Sequence, residues 1–234
     1  MRATVIVEPG TAIEPGPKLT LVKREAIRPP KFADKFSMLE WDLEPLPAIS
    51  LYPLPRPIAL VEDVALQVSD LECNPRVVGW PAQEQVPVVT MEAPLICQIF
   101  NWSEVVLWQG VRVADFLDYA GLKCAEGDHI AFYSRDGTYF EGLPAEMARD
   151  PRTLLATHIN GEPLPHVLGG PLRLVVPFLQ GYKSVKWVGS IKVTKHDPVG
   201  IKRLLGQSKT AHLGLAWREA YDIETELDAD KTPV

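Results

Sequence analysis

Apolar residues are spaced along this chain in ways that predict short strands and shorter helices. Residues 64–69 (Val-Ala-Leu-Gln-Val-Ser) approach the alternation of a half-buried strand, and Asn74-Pro75 supplies a turn after it. Residues 86–100 form a β-rich stretch that ends in an apolar run around Cys97. Over 111–120, Val111, Phe116, Leu117 and Tyr119 recur at helical spacing, with Gly121 as the stop. A strand is predicted over 130–134, closed by the turn pair Asp136-Gly137. A short helix over 144–149 places Pro144 near its first position. Strands are predicted over 154–159, 172–177 and 185–193, and an amphipathic helix over 210–227 with Thr210 as N-cap. No internal repeat is visible.

Proline changes the picture at the N-terminus. The run from Pro9, Pro15 and Pro17 to Pro53, Pro55 and Pro57 removes backbone donors and restricts each preceding residue. It predicts an irregular arm over 1–60 that wraps a core, with at most a turn or two of helix over 34–43. The chain then divides into a main domain over 61–197 and a helical tail over 198–234. The fold class is α/β in the mixed α+β sense, with irregular mixed sheets and short helices.

The chain has 234 residues, 46% hydrophobic and 23% charged, enough to bury a core without disulfides. A net charge of −6 argues against nucleic acid or an anionic membrane surface as the main partner. No apolar run is long enough for a membrane span, and neither a signal peptide nor a twin-arginine leader is seen, so a cytoplasmic location is expected.

Cys73, Cys97 and Cys124 form no Cys-x-x-Cys pair, and the five histidines form no His-Glu-x-x-His. By spacing alone, each cysteine reads as a small buried hydrophobe. The stretch Gly169-Gly-Pro-Leu-Arg-Leu-Val-Val-Pro-Phe-Leu-Gln-Gly-Tyr-Lys-Ser-Val-Lys-Trp187 is different. It sets Arg173, Lys183, Ser184 and Lys186 among glycines and short strands. Such a set offers charge-assisted donors to phosphate oxygens, or equally forms a strand-turn-strand with solvated basic side chains. A Walker A spacing is absent.

Gly169-Gly-Pro-Leu-Arg-Leu-Val-Val-Pro followed by Gly181-Tyr-Lys-Ser-Val-Lys-Trp-Val resembles the catalytic domain of the sulfite oxidase superfamily of molybdopterin-binding oxidoreductases. Three further segments match in order: residues 64–75; Cys97 with Asn101-Trp102-Ser103, Trp108 and Gly110-Val111; and Asp136-Gly137 through Leu143-Pro144, with Leu154-Leu155 and Asn160-Gly-Glu-Pro-Leu-Pro165. The resemblance implies a sulfite oxidase-type molybdopterin-binding fold. It also implies a single cysteine thiolate, Cys97, binding molybdenum beside the dithiolene of one pyranopterin. A soft thiolate suits such a metal. By the same resemblance Arg173, Ser184 and Lys186 hold the cofactor, with Lys183 a companion and Ser134 in a cofactor-binding position. A strand-end serine making a local backbone turn is the other reading of Ser134. Cys73 and Cys124 stay buried or structural.

Several departures bear on activity. Residues 98–103 carry no cation, where sulfite oxidases place an arginine for their anionic substrate. Position 168 is leucine, where relatives carry His or Asn, and the arm does not show the family's pterin-contact segment. About 37 residues follow Asp197, too few for the immunoglobulin-like dimerisation domain. No haem motif occurs, so no haem is expected. The resulting expectation is a haem-free molybdenum–molybdopterin oxidoreductase. It would carry out two-electron oxygen-atom transfer on a small substrate, sulfoxide- or N-oxide-like rather than sulfite, with a separate electron-transfer partner. The alternative is a family scaffold with weakened cofactor contacts, acting as a pterin- or protein-binding module.

Overall fold

A computed structural model of the protein describes residues 19–20, 60–97, 102–221 and 223. The strands in chain order are β1 (Leu19–Thr20), β2 (Leu66–Ser69), β3 (Pro75–Val78), β4 (Val88–Cys97), β5 (Trp102–Arg112) and β6 (His129–Ser134). They continue as β7 (Phe140–Pro144), β8 (Leu154–Ile159), β9 (Glu162–Pro163), β10 (Arg173–Val175) and β11 (Val188–Thr194). Four short helices join them: α1 (Val113–Tyr119), α2 (Ala145–Ala148), α3 (Ile201–Leu204) and α4 (Leu215–Tyr221). The mixed α+β class expected from the sequence is the one observed.

Two sheets carry the architecture. One runs β1-β4-β5-β8-β10 with β9 on β8, and the other runs β3-β2-β11-β6-β7. A single apolar cluster joins them, with Met91, Trp108, Leu155 and Leu174 from the first and Leu66, Phe132 and Ile191 from the second. Period-two burial explains β2, where Leu66 and Val68 point inward and Gln67 outward. It explains β5 as well, where Val106 and Trp108 are buried.

Most expected elements form, with shifted ends. The strand expected over 64–69 begins at Leu66, and the strand over 154–159 appears as β8. The helix expected over 111–120 begins only at Val113, because Val111 and Arg112 pair with β8. Its face is Val113, Phe116 and Leu117, all buried, and Gly121 ends it at φ +63°. Pro75 is not only a turn residue. It opens β3, an edge strand, where a missing donor costs least. The tail helix begins at Leu215 rather than Thr210. Ala211 takes φ +59°, which no right-handed helix accommodates, and Ala211 and Leu213 bury themselves at strand spacing. The expected helical turn over 34–43 lies outside the described residues, as does the end of the expected tail helix beyond Tyr221, apart from residue 223. No described helix is long and apolar enough to cross a membrane.

The chain crosses between sheets over residues 172–188. Arg173 lies on β10 of the first sheet, and Val188 opens β11 of the second. The segment folds back on itself through Leu174 N–H to Val185 O (2.8 Å) and Val188 N–H to Leu172 O (2.9 Å). The basic motif therefore sits at the seam.

Candidate active site

At that seam a cleft of about 200 Å3 is walled by Thr138, Tyr139, Arg173, Gly181, Tyr182, Ser184, Lys186 and Trp187. Thr138 and Tyr139 come from the β6–β7 connection, and the rest from the crossover. Tyr139 Oη donates to Tyr182 O (2.6 Å) and ties the two walls together.

Two cations sit in it without a carboxylate partner among the described residues. Arg173 is 4% exposed, and its Nη1 donates to Leu168 O at 2.9 Å. Its Nε has no hydrogen-bond partner among the described residues, and its guanidinium lies 5.6 Å from the centre of the Trp108 ring. Burial draws its pKa down to about 10. Lys186 donates to Val167 O at 2.8 Å, and burial, then the nearby Arg173 charge, draw its ammonium down to about 7. A buried cation with unused donors is costly unless an anion completes it. Arg173, buried, and Lys186, half-buried against the same cleft wall, could together hold an anionic group.

Local geometry supports this arrangement. Gly169 adopts φ +107°, and a Cβ there would lie 2.9 Å from Lys186 Cβ, so only glycine lets the turn close over the lysine. Trp187 takes φ +53°, rare for so bulky a residue, with its Nε1 donating to His166 O at 2.6 Å. This kink is why β11 begins at Val188 rather than at residue 185. Ser184 Oγ accepts Val176 N–H at 3.1 Å, so its hydroxyl proton could be donated elsewhere.

Cys97 ends β4, opposite Trp102, and is partly buried. Cys97 is not itself in the cleft wall, but Gly181 of that wall lies against its strand: a Cβ on Gly181 would sit 2.5 Å from Ile96 O, one residue before the thiol. Cleft wall and thiol-bearing strand therefore touch backbone to backbone. The neighbouring residues 98–101 lie outside the described residues.

Arg173, Ser184 and Lys186 come together as the sequence suggested. Lys183 does not join them: its Nζ lies 3.0 Å from Glu141 Oε2 and 2.9 Å from Gly142 O, with both charged side chains buried. Ser134 also stands apart. Its Oγ donates to Asp136 Oδ1 (2.6 Å) and accepts Tyr139 N–H (3.0 Å), shaping the turn that presents Thr138 and Tyr139. Cys73 is exposed at φ +59° rather than buried, and Cys124 Sγ accepts Arg149 Nε–H at 3.2 Å. Sequence reasoning missed Thr138 and Tyr139, which carry no motif of their own, and quoted Trp108 beside Cys97 without foreseeing its contact with Arg173. Tyr182 and Trp187 stood inside the quoted motif without an assigned role.

The comparisons with known proteins give the family and the fold. The family described as the oxidoreductase molybdopterin binding domain matches residues 53–201, and the chain belongs to that family, within the sulfite oxidase superfamily. It is thus a molybdopterin-binding oxidoreductase by family. It is similar to the protein-methionine-sulfoxide reductase catalytic subunit MsrP of Gluconobacter oxydans, 37% identical over 42% of this chain and 36% of that protein. It is 33% identical to the uncharacterized oxidoreductase YuiH of Bacillus subtilis, over 58% of this chain and 67% of the relative. Rat mitochondrial sulfite oxidase is 39% identical over 38% of this chain and 18% of its own length. The chain therefore spans well under two thirds of the reductase and of the oxidase. Among solved structures, the sulfane dehydrogenase SoxCD from Paracoccus pantotrophus shares the fold, with TM-score 0.54 and 24% identity over 61% of this chain and 41% of that one.

Proposed function

We propose that this protein holds a molybdenum–pyranopterin cofactor and catalyses two-electron oxygen-atom transfer on a small neutral substrate, a sulfoxide or N-oxide in preference to sulfite. The observation that supports it most is the pair of carboxylate-free cations, Arg173 and Lys186, in a cleft whose wall rests on the residue before Cys97. The residues present fit the group: the orphaned Arg173 Nε, the Lys186 ammonium and the Ser184 hydroxyl suit a phosphorylated ligand, and the Cys97 thiol suits a soft metal.

The cofactor, when bound, supplies the two-electron redox chemistry and the oxygen-atom transfer. The chain's own residues bind and orient. Arg173, held against Leu168 O and the Trp108 face, offers its remaining N–H groups to the ligand's anionic end. Lys186 takes up a proton to meet the same charge. Tyr139, Tyr182 and Trp187 wall the cleft with aromatic surface, which excludes water and strengthens those contacts. Cys97 anchors the metal at the end of β4.

Substrate preference follows from where cations are lacking. Residues 98–103 carry none, and an anionic substrate needs one to offset its desolvation. Of the arginines elsewhere, Arg112 is engaged by Asp115 at 2.7 Å, and Arg135 is not in the cleft wall. Electrons would pass to or from a separate partner protein. Steady-state assays decide the preference, using sulfite with an electron acceptor against sulfoxides with a reduced dye. A higher kcat/KM for sulfoxide is expected, and a higher value for sulfite would overturn the substrate assignment.

A further inference from the structure

The family match ends at residue 201, yet the chain beyond it is built into the site from two sides. On one side it holds the cleft wall. Leu179 bridges His212 in antiparallel fashion, Gln180 N–H donates to Ala211 O (2.8 Å), and Gln180 Nε2 donates to His212 O (3.0 Å). Tyr182 Oη donates to Ser208 O. These residues lead into and form the turn Gly181–Lys183, whose first glycine rests on Ile96 O.

On the other side the same segment reaches the thiol-bearing strand pair. Tyr221, 1% exposed at the end of α4, shares a hydrogen bond with Ser103 Oγ. Ser103 is itself buried and lies opposite Ile96 in the β4–β5 ladder, one step from the Cys97–Trp102 pair. Between these ends, Ala211, Leu213 and Ala220 are each almost fully buried. Ala211 holds φ +59° where its carbonyl meets Gln180, a conformation that persists only when its surroundings impose it.

We infer that residues 208–221 are a strap that fixes the cation-bearing crossover in register with Cys97, with Gln180 and Tyr221 as its two positioning contacts. The inference rests on the proposed function insofar as that register serves to retain the cofactor. The strap itself is a coupling between two parts of the apoprotein and is measurable without any ligand. An anchor lost at one end should loosen the other, and by linkage the effect should run both ways.

The test is hydrogen exchange on the apoprotein, followed by cofactor retention on the loaded protein. Tyr221→Phe and Ser103→Ala each remove one hydroxyl, and each should raise exchange at the amides of Gln180, Lys183 and Ser184 roughly three- to tenfold. The double variant should add nothing further, because both remove one bond. Gln180→Ala should raise exchange at the Ile96–Ser103 end by a similar factor. In loaded protein, each variant should release pterin faster by about the same ratio. Val193→Ala, a cavity in β11 away from both ends, should lower the melting temperature without either effect. Exchange that rises only beside each substitution, or rises equally in Val193→Ala, overturns the strap. Coupled exchange in a wild type that retains no pterin upholds the strap and removes the functional reading. Pterin retained with uncoupled exchange does the reverse.

Discussion

Gly181 lies so close to Ile96 that a Cβ on the glycine would stand 2.5 Å from the Ile96 carbonyl oxygen. That contact joins the cation-bearing crossover to the strand that ends in Cys97. Replacing glycine by alanine ordinarily gains some stability by restricting the unfolded chain, about 0.4–1 kcal/mol. Here the clash is with backbone, and overpacking typically costs about 1–3 kcal/mol, so the clash wins. Gly181→Ala should lower stability in urea and reduce pterin retained after purification. Gly79→Ala is the control, since a Cβ there meets nothing within 4 Å, and it should lose neither stability nor pterin.

Lys186 makes the apoprotein's stability depend on pH. Its ammonium has an ordinary pKa of 10.5, and burial, then the Arg173 charge, bring it to about 7 in the fold. Between those values the unfolded chain binds a proton that the folded chain has released, so stability rises with pH from about 7 toward 10.5. Below 7 both states are protonated, and the full penalty for the buried charge is present. Melting temperatures of apo wild type and Lys186→Met between pH 6 and 9 should show a rise in the first that is missing in the second. Parallel curves would contradict the buried position of this ammonium. Binding of an anionic cofactor should run the other way, weakening above pH 7 as the proton is lost.

Lys183 should behave as a structural ion rather than a ligand. Burial raises the pKa of Glu141 while Lys183 pulls it down, and the pair is sealed from water. Removing one member of such a pair costs roughly 3–5 kcal/mol, whereas replacing both with apolar residues is often near neutral. Lys183→Met should therefore be strongly destabilised in denaturant titration, and Lys183→Met with Glu141→Leu should recover most of the loss. The double variant should keep its pterin. Loss of pterin from a stable double variant would return Lys183 to the cradle.

The contrast between Lys183 and Lys186 shows how far the sequence could be read. Both lie in one basic motif three residues apart, and composition gives no sign that Lys183 turns toward a carboxylate 42 positions earlier. Ser134 is similar, since a strand-end serine suits a ligand or a turn, and only Asp136 and the Tyr139 amide decide between them. Strand β2 was legible from its alternation, and β6 from an apolar run closed by the Asp136-Gly137 turn. Strand β5 was not, because Val105 and Leu107 on its less buried face are as apolar as Val106 and Trp108 on the buried one. Element ends slipped where a non-glycine residue takes positive φ, at Trp187 before β11 and at Ala211 before α4. Those conformations are imposed by tertiary contacts that no local pattern encodes.

The central claim is that Cys97 is the protein's ligand to molybdenum in a cofactor held by Arg173 and Lys186. It is tested most directly by X-ray absorption at the molybdenum edge, on wild type and Cys97→Ser purified from a host that makes the cofactor. About one molybdenum per chain is expected in the wild type, with the number of sulfur neighbours falling by one in Cys97→Ser and unchanged in Cys73→Ser and Cys124→Ser. An identical sulfur shell in wild type and Cys97→Ser, or a wild type without molybdenum, would contradict the account.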